Sequence, residues 1–216
     1  MGGLFVRSDP FALWQRQPTF MSGHISIIAG LGNPDERYAQ TLHNAGFWFV
    51  DALARKLGAQ FRAEKRFDTE ICRARIGGED IWLMKPQSFM NLSGGPIRAV
   101  LDYYRLSTDT LLVAHDEIDL PPGTVRLKKG GGHGGHNGIR DVIGHCGADF
   151  MRLRLGVGHP GDKDRVTGYV LQAASRDVEN DVRRNIEEAI AIMPMLVTDG
   201  LNAAMKALHT QASNES

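Results

Sequence analysis

The sequence predicts an α/β fold, with a mixed, mostly parallel twisted sheet in a single domain and helices on both faces of the sheet. Short apolar runs typical of buried strands alternate along the chain with segments of helical periodicity, which is the pattern of such a sheet. The 216 residues are 42% hydrophobic, enough for the core of one domain. No internal repeat and no long linker divides the chain.

The first half of the chain predicts a strand, a helix, a hairpin and a second helix, at residues 25–29, 46–57, 70–75 with 81–85, and 96–104. The first run is unbroken and rich in isoleucine, which favours a buried strand. Gly58 ends the first helix, and Gly77 with Gly78 is a hairpin signal. In the second helix the apolar side chains recur on one face.

The second half predicts strands at residues 111–114, 124–127 and 152–157. It also predicts three helices, of which the first begins at Asn137 and the other two span residues 178–193 and 201–208. The first of these strands is a continuous apolar run, which is typical of the centre of a sheet. The last alternates charged and apolar residues, which predicts a half-buried strand. Asn137 is expected to cap its helix, and the 178–193 helix is amphipathic.

The ends of the chain are expected to lie outside the folded domain, which we predict to span residues 23–210. Residues 1–22 contain two basic side chains, one acidic side chain and an apolar stretch too short for a signal peptide. We therefore expect a flexible N-terminal extension. Residues 211–216 are expected to form a flexible C-terminal tail.

Composition excludes several classes of protein. The 25 basic and 25 acidic residues balance, which argues against wholesale coating of nucleic acid. Cys72 and Cys146 form neither a disulfide framework nor a zinc-ligand pattern, which favours a reducing, cytoplasmic location. No apolar run approaches the roughly 20 residues of a membrane helix, and residues 189–197 are interrupted by Pro194. We expect no membrane partner.

The loop after the first strand contains Gly30 and Gly32, as do dinucleotide-binding turns. That interpretation fails, because Asp35 occupies the third glycine position and Pro34 lies inside the phosphate cradle. The glycines more simply allow a tight exit from the strand. This exit places Asn33 at the carboxyl edge of the sheet, where α/β proteins have their sites.

Two further segments bring catalytic side-chain types to helix and strand ends. His43 and Asn44 precede the first helix, and Asp116 follows the 111–114 strand. A carboxylate at a strand end is a suitable acceptor for the second nitrogen of an imidazole. On these residues alone, His43 is also consistent with a histidine of the core, and Asn44 with the cap of a helix. Asp116 and the acidic residues after it are also consistent with a solvated turn.

The segment of residues 130–138, here called the glycine tract, has six glycines in nine positions. So many glycines cost conformational entropy, which indicates that something approaches this backbone closely. His133 and His136 lack a third ligand at metal-binding spacing, so zinc is disfavoured. A backbone surface for an RNA strand, with Asn137 supplying an amide, fits better.

Residues 126–154 are locally basic in a neutral protein. Six bases stand against two acids: Arg126, Lys128, Lys129, Arg140, Arg152 and Arg154 against Asp141 and Asp149. Alone, such a run is typical of a solvated face. Beside the glycine tract it favours a phosphate site. Elsewhere, Phe89 and Met90 in a polar loop fit either the core or an apolar lip for substrate.

Five ordered blocks together make the sequence closely similar to the bacterial, single-domain peptidyl-tRNA hydrolase family. They lie in residues 30–46, 89–94, 115–123, 130–141 and 152–168, and the similarity extends over nearly everything from residue 25 to about 208. Five blocks at family-like spacing are far more specific than any one of them.

The resemblance implies hydrolysis of the ester that joins a peptide to tRNA, a step in translation and ribosome rescue. It implies His43 as the catalytic base and Asp116 as its orienting partner. The residues that it implies hold peptide and water are Asn33, Tyr38, Met90, Asn91, His136 and Asn137. Lys128 and Arg154 match the family's clamp for the tRNA 5′-phosphate. It further implies the acceptor stem and 3′ end as partner, a monomer, and neither cofactor nor metal.

Two positions depart from the family pattern. Leu42 replaces the arginine that usually precedes the catalytic histidine, and Asp35 replaces the glycine that usually follows Asn-Pro. Both put local contacts in doubt more than activity. An alternative is a non-catalytic RNA-binding relative of the same fold, similar to plastid splicing factors. Another is a small-molecule ester hydrolase, which leaves the basic segment without a purpose.

Overall fold

A computed structural model describes residues 24–214 of the protein, with side chains up to residue 208. The predicted N-terminal extension, residues 1–22, lies outside the described residues, as do residues 215 and 216. The predicted domain limits therefore stay a prediction. None of the helices in the described part is both long enough and apolar enough to cross a membrane.

Seven strands in the described part form one sheet, which confirms the predicted fold class. They are β1 Ile27–Gly30, β2 Arg62–Glu64, β3 Thr69–Ile76, β4 Glu79–Pro86, β5 Leu111–Glu117, β6 Val125–Lys129 and β7 Met151–Gly156. Their order is β2-β3-β4-β1-β5-β7-β6. The central strands β4, β1, β5 and β7 are parallel, whereas β3 and β6 run antiparallel to their neighbours.

Helices cover both faces of the sheet, as predicted. They are α1 Ala45–Lys56, α2 Gly94–Tyr104, α3 Asn137–Cys146, α4 Val166–Val170, α5 Arg176–Thr198 and α6 Leu201–Asn214. Helices α1, α5 and α6 bury their apolar side chains against one face, and α2 and α3 against the other. Successive side chains of a strand point to opposite faces, so each strand contributes alternately to the two cores.

The structure corrects several local predictions. Strand β2 was not predicted, because its three residues are mostly exposed and lack an alternating pattern, and the short helix α4 was also missed. Helix α5 continues through Pro194, since buried side chains on both sides of it pack onto the sheet. Helix α6 continues to Asn214 rather than ending at Leu208, so part of the segment expected as a tail is helical.

The cap of α3 is also corrected. Asn137 is the first residue of the helix, and His136 is the N-cap. The Nδ1 atom of His136 accepts a hydrogen bond from the backbone N–H of Ile139 at 3.2 Å. An unprotonated imidazole nitrogen satisfies one of the free N–H groups of the first turn, as an asparagine oxygen would.

Helix α1 begins in direct contact with the ends of β1 and β5. A methyl group at Gly46 would lie 2.3 Å from the carbonyl oxygen of Ala114 and 2.5 Å from the backbone nitrogen of Leu31. Only glycine allows this approach, because Cβ contacts below 3.0 Å do not occur in real structures. The single 3-10 turn Leu42–Asn44 before the helix is thereby held at the carboxyl edge of the sheet.

Replacement of Gly46 by alanine should strongly destabilise the protein. The added methyl group has no space against two strands, so we expect the free energy of unfolding to fall by about 3 kcal/mol. Urea denaturation measures this change. Gly95→Ala in α2 is the matched control: its methyl group meets nothing within 4 Å, and the loss of a helical glycine should stabilise by roughly 0.5 kcal/mol. Equal stability of the two variants would contradict the packing argument.

Candidate active site

A crevice of about 790 Å³ opens at the carboxyl edge of the sheet. It lies beyond the ends of the parallel strands β1, β4 and β5, where α/β proteins bind their ligands. It is lined by both residues predicted to be catalytic and by all six predicted to bind peptide. The structure thus brings together eight side chains from four separate segments.

His43 and Asp116 are hydrogen-bonded in this crevice, although 73 positions separate them. The Nδ1 atom of His43 lies 2.9 Å and 3.0 Å from the two carboxylate oxygens of Asp116. An ionised carboxylate only accepts, so Nδ1 carries the proton and donates it. The Nε2 atom of His43 is therefore left with a free lone pair. Both side chains are nearly enclosed, at 11% and 2% exposed.

A second imidazole donates to the same carboxylate. The Nε2 atom of His136 lies 2.9 Å from Oδ1 of Asp116. Because Nδ1 of His136 accepts from the backbone N–H of Ile139, Nε2 is the nitrogen that donates to Asp116. The rings of His43 and His136 are 4.8 Å apart. Asp116 is thus held between two N–H donors.

These contacts set the ionisation of the cluster. Burial acts to raise the pKa of Asp116, but His43 and His136 outweigh it and hold this pKa well below its usual range. Burial acts to lower the pKa of His43, but the charge and hydrogen bond of Asp116 outweigh it and raise that pKa. His43 is therefore a stronger base than a free histidine.

His115 lies beside this cluster but faces the other side of the sheet. Burial, followed by the neighbouring His136, lowers the pKa of His115 to about 3, so it is neutral. Its Nδ1 atom donates to the carbonyl oxygen of Asp116 at 2.7 Å. Its ring meets that of His136 edge-on, with centroids 5.0 Å apart. His115 thus packs behind the His43–Asp116 pair.

The potential metal ligands of His43, Asp116 and His136 lie within 4.8 Å of one another. Two histidines and a carboxylate are a common donor set for zinc. However, a metal bound to Nε2 of His136 would require the ring proton to be on Nδ1. That proton would then face the backbone N–H of Ile139, from which Nδ1 accepts a hydrogen bond in this structure. The cap of α3 therefore favours a hydrogen-bonded cluster over a metal centre.

Asn33 is held in place by Asn44. The side-chain oxygen of Asn44 accepts from the backbone N–H of Asn33 at 2.8 Å, and its amino group donates to the carbonyl of Asn33 at 3.0 Å. The backbone N–H of Met90 donates to Oδ1 of Asn33 at 2.8 Å. The Nδ2 amino group of Asn33 has no acceptor among the described residues. Asn33 consequently offers the crevice a fixed donor.

The remaining predicted peptide contacts surround this donor. Asn91 and Asn137 are exposed, and their side-chain amides bond to none of the described residues. Met90 is buried beneath the crevice, whereas Tyr38 and the half-exposed Phe89 stand at its margin. The crevice therefore combines three carboxamides with an apolar border.

Four basic side chains share one face of strands β6 and β7. Arg126 is paired with Arg154 in the strand register, and Lys128 with Arg152. They lie on the α3 side of the sheet, next to the glycine tract, and we call them the basic face. Lys128 is exposed and forms no ion pair with the described residues. Arg154 pairs with Glu117 at 2.9 Å, and Glu117 lines the crevice.

Comparison with known proteins agrees with this arrangement. The family model described as peptidyl-tRNA hydrolase matches residues 27–216. A peptidyl-tRNA hydrolase of Halorhodospira halophila is 49% identical over 188 residues, which cover 87% of this chain and 97% of that protein. A peptidyl-tRNA hydrolase of Xanthomonas campestris pv. campestris is 50% identical over 187 residues, which cover 86% of this chain and 97% of that protein. The chain belongs to the peptidyl-tRNA hydrolase family.

Solved structures of the family show the same fold. The crystal structure of peptidyl-tRNA hydrolase from Acinetobacter baumannii superposes with a TM-score of 0.85 at 44% identity, over 88% of this chain and 97% of that one. A fold this similar over nearly the full length confirms the α/β domain that the sequence predicts.

Both departures from the peptidyl-tRNA hydrolase pattern have local partners. Leu42 is buried in the core beneath α1, where an arginine would need a counter-charge. The carboxylate of Asp35 accepts from the backbone N–H of Arg37 at 3.1 Å and pairs with its guanidinium at 3.2 Å. Asp35 thus caps its own turn. Neither side chain forms a hydrogen bond or an ion pair with His43 or Asp116.

Replacement of Asp116 by asparagine should reverse the pKa shift of His43. Without the carboxylate, burial is the main remaining influence on the pKa of His43, and burial lowers it. This pKa should therefore fall below its ordinary value of about 6.5. Histidine NMR titration measures the midpoint directly. Asp119→Asn, an exposed acid in the next turn, should leave the His43 midpoint unchanged. A midpoint that stays raised in the Asp116 variant would contradict the assigned pairing.

Proposed function

We propose that the protein hydrolyses the ester between the peptide carbonyl and the ribose of the 3′-terminal adenosine in peptidyl-tRNA. The observation that carries this proposal is the buried His43–Asp116 pair in a crevice lined by three carboxamides. The family membership supports the same reaction. It disfavours a non-catalytic RNA-binding role, as does the presence of the complete pair.

The chemistry needs a base, a positioned water and no covalent nucleophile. Nε2 of His43 accepts a proton from water as the oxygen bonds to the ester carbonyl carbon, which forms a tetrahedral oxyanion. The carbon–oxygen bond to the ribose then breaks, and the imidazolium returns its proton to the leaving ribose oxygen. Asp116 keeps Nδ1 protonated and stabilises the imidazolium. Peptide acid and free tRNA are the products.

The carboxamides have two roles in this proposal. The Nδ2 group of Asn33 is the donor that we assign to the developing oxyanion, since its oxygen is already taken by Met90. Asn91 and Asn137 offer neutral donors and acceptors to the peptide backbone. Such contacts do not depend on the peptide side chains, so peptides of many sequences are accepted.

The basic face is proposed to bind the acceptor stem. Lys128 and Arg154 contact the 5′-phosphate, while the 3′ end enters the crevice past the glycine tract. Contacts to phosphate groups do not depend on the identity of the bases, so one surface can bind tRNAs of different sequence. One chain supplies the His43–Asp116 pair, the carboxamides and the basic face, so a monomer is sufficient for the proposed reaction. Ribosomes supply the substrate, so we expect the protein to act in the cytoplasm.

Replacement of His43 by alanine should abolish turnover without abolishing tRNA binding. General-base catalysis contributes about 10²- to 10⁴-fold, so kcat on N-acetyl-aminoacyl-tRNA should fall by at least about 10². In the parent, kcat/KM should rise with pH through the raised pKa of His43, because only the unprotonated ring is a base. Cleavage by the alanine variant at the parental rate would show that another group is the base.

A simple blocked amino-acid ester distinguishes the remaining alternative. A small-molecule ester hydrolase would cleave this ester as efficiently as the tRNA substrate. The proposed enzyme should prefer the tRNA substrate strongly, because the basic face contributes binding energy only to tRNA.

Replacement of Lys128 by alanine should raise KM and leave kcat unchanged. Lys128 is exposed and does not line the crevice, so its loss removes a phosphate contact and not a group that takes part in the reaction. The slope of log affinity against log salt should become shallower by about 1. Kinetics at several salt concentrations measure both changes, and Lys56→Ala, an exposed lysine at the end of α1, is the matched control. An unchanged KM would exclude Lys128 from the tRNA site.

A further inference from the structure

Arg152 is the member of the basic face that cannot reach a ligand directly. The residue is only 4% exposed. Its two terminal nitrogens donate to the carbonyl oxygens of Gly132 and Gly131, each at 2.5 Å. Its guanidinium lies over the ring of Phe150, 4.8 Å from the ring centroid. Both terminal nitrogens of the guanidinium are therefore used in hydrogen bonds to the glycine tract.

No carboxylate among the described residues lies within ion-pair distance of Arg152. The nearby Glu117 pairs instead with Arg154, and Nε of Arg152 is buried without a hydrogen-bond partner in the described part. Burying an unpaired guanidinium is costly. An apolar side chain would fill this position more cheaply if packing were its purpose. The two carbonyl contacts therefore call for a functional explanation.

The glycine tract has few other ties to the sheet. Gly130 donates to the carbonyl oxygen of Phe150 at 3.0 Å, where the tract leaves the sheet. The bonds of His133 are made within the tract, to the backbone N–H groups of Gly135 and His136. Between Gly130 and His136, the described hydrogen bonds that reach the sheet are those of Arg152. The conformation of a glycine-rich segment is otherwise weakly determined.

The tract ends at two residues of the crevice. His136 donates to Asp116 and caps α3, and Asn137 lines the crevice beside it. Any displacement of the tract moves these two side chains relative to His43. A shift of about 1 Å at a catalytic centre can cost about a hundredfold in rate.

We propose that Arg152 is a positioning residue, which fastens the glycine tract to strand β7 so that His136 and Asn137 stand in register with the catalytic pair. This inference rests on the proposed function. The fork of the guanidinium is essential to it, because its planar donors reach two successive carbonyls at once. The ammonium group of a lysine keeps the charge but not this fixed double contact.

Kinetics on two substrates separate positioning from phosphate binding. One substrate is N-acetyl-aminoacyl-tRNA, and the other is the same N-acetyl-aminoacyl ester on a CCA trinucleotide, which has no acceptor stem. Arg152→Gln and Arg152→Lys should each lower kcat on both substrates, by about tenfold to a hundredfold. Lys128→Ala should instead change only KM, and only for the full tRNA.

Arg75→Gln is the matched control for loss of a strand arginine. The Nε atom of Arg75 also donates to a glycine carbonyl, that of Gly78 at 2.9 Å, but in the hairpin between β3 and β4. This variant should keep the parental kcat on both substrates. Thermal unfolding identifies any variant that does not fold. If Arg152→Gln fails to fold, Arg152→Lys decides the question.

Hydrogen exchange gives a readout that does not depend on activity. In the Arg152 variants, residues 130–138 should lose protection while the strands β1 and β5 keep theirs. Parental kcat in a folded variant, an effect confined to the KM for full tRNA, or unchanged protection of the tract would each overturn the proposal. If the parent cleaves neither substrate, the proposed function fails, and the exchange experiment alone still decides whether Arg152 holds the tract.

Discussion

The site depends on one buried carboxylate that is shared by two imidazoles. Asp116 is the second-last residue of strand β5, and its side chain points to the face of the sheet covered by α1, so it meets His43 from the turn before that helix. His136 reaches the same oxygen from the start of α3, on the opposite face. A buried carboxylate is expensive unless its lone pairs are satisfied. Two N–H donors meet that requirement, and by doing so they join both helical layers at the edge of the sheet.

The parallel centre of the sheet explains why the other groups gather at the same place. β1, β4 and β5 end at one edge, and each is followed by a segment that contributes to the crevice: the Asn33 loop, the Met90 turn and residues 118–119. The absent side chain of Gly46 lets α1 start against this edge. The antiparallel strand β6 extends the same sheet sideways and adds the basic face. One sheet thus carries both the proposed catalytic pair and the proposed surface for a large polyanion.

Most of the fold could be predicted from the sequence, because apolar periodicity is local. The hairpin at Gly77 and the pairing of His43 with Asp116 were both predicted, the latter from strand-end chemistry and family resemblance together. What was missed depends on the tertiary structure. A helix cap was one alternative for Asn44. Asn44 does occupy the N-cap position of α1, but its amide bonds to the backbone of Asn33 and not to the helix. The alternating pattern of β7 predicted a half-buried strand, but Arg152 on its polar face is buried because the glycine tract covers it. No local pattern reveals such a cover.

Both ring nitrogens of His136 are occupied, one by the acid and one by the helix. The ends of most helices fray at little cost in free energy, because their terminal turns do not contact a functional site. At α3 the same loosening would tilt the imidazole of His136 and break its hydrogen bond to Asp116. The first turn of this helix therefore cannot relax independently, and its thermal motion is transmitted to the proposed catalytic pair.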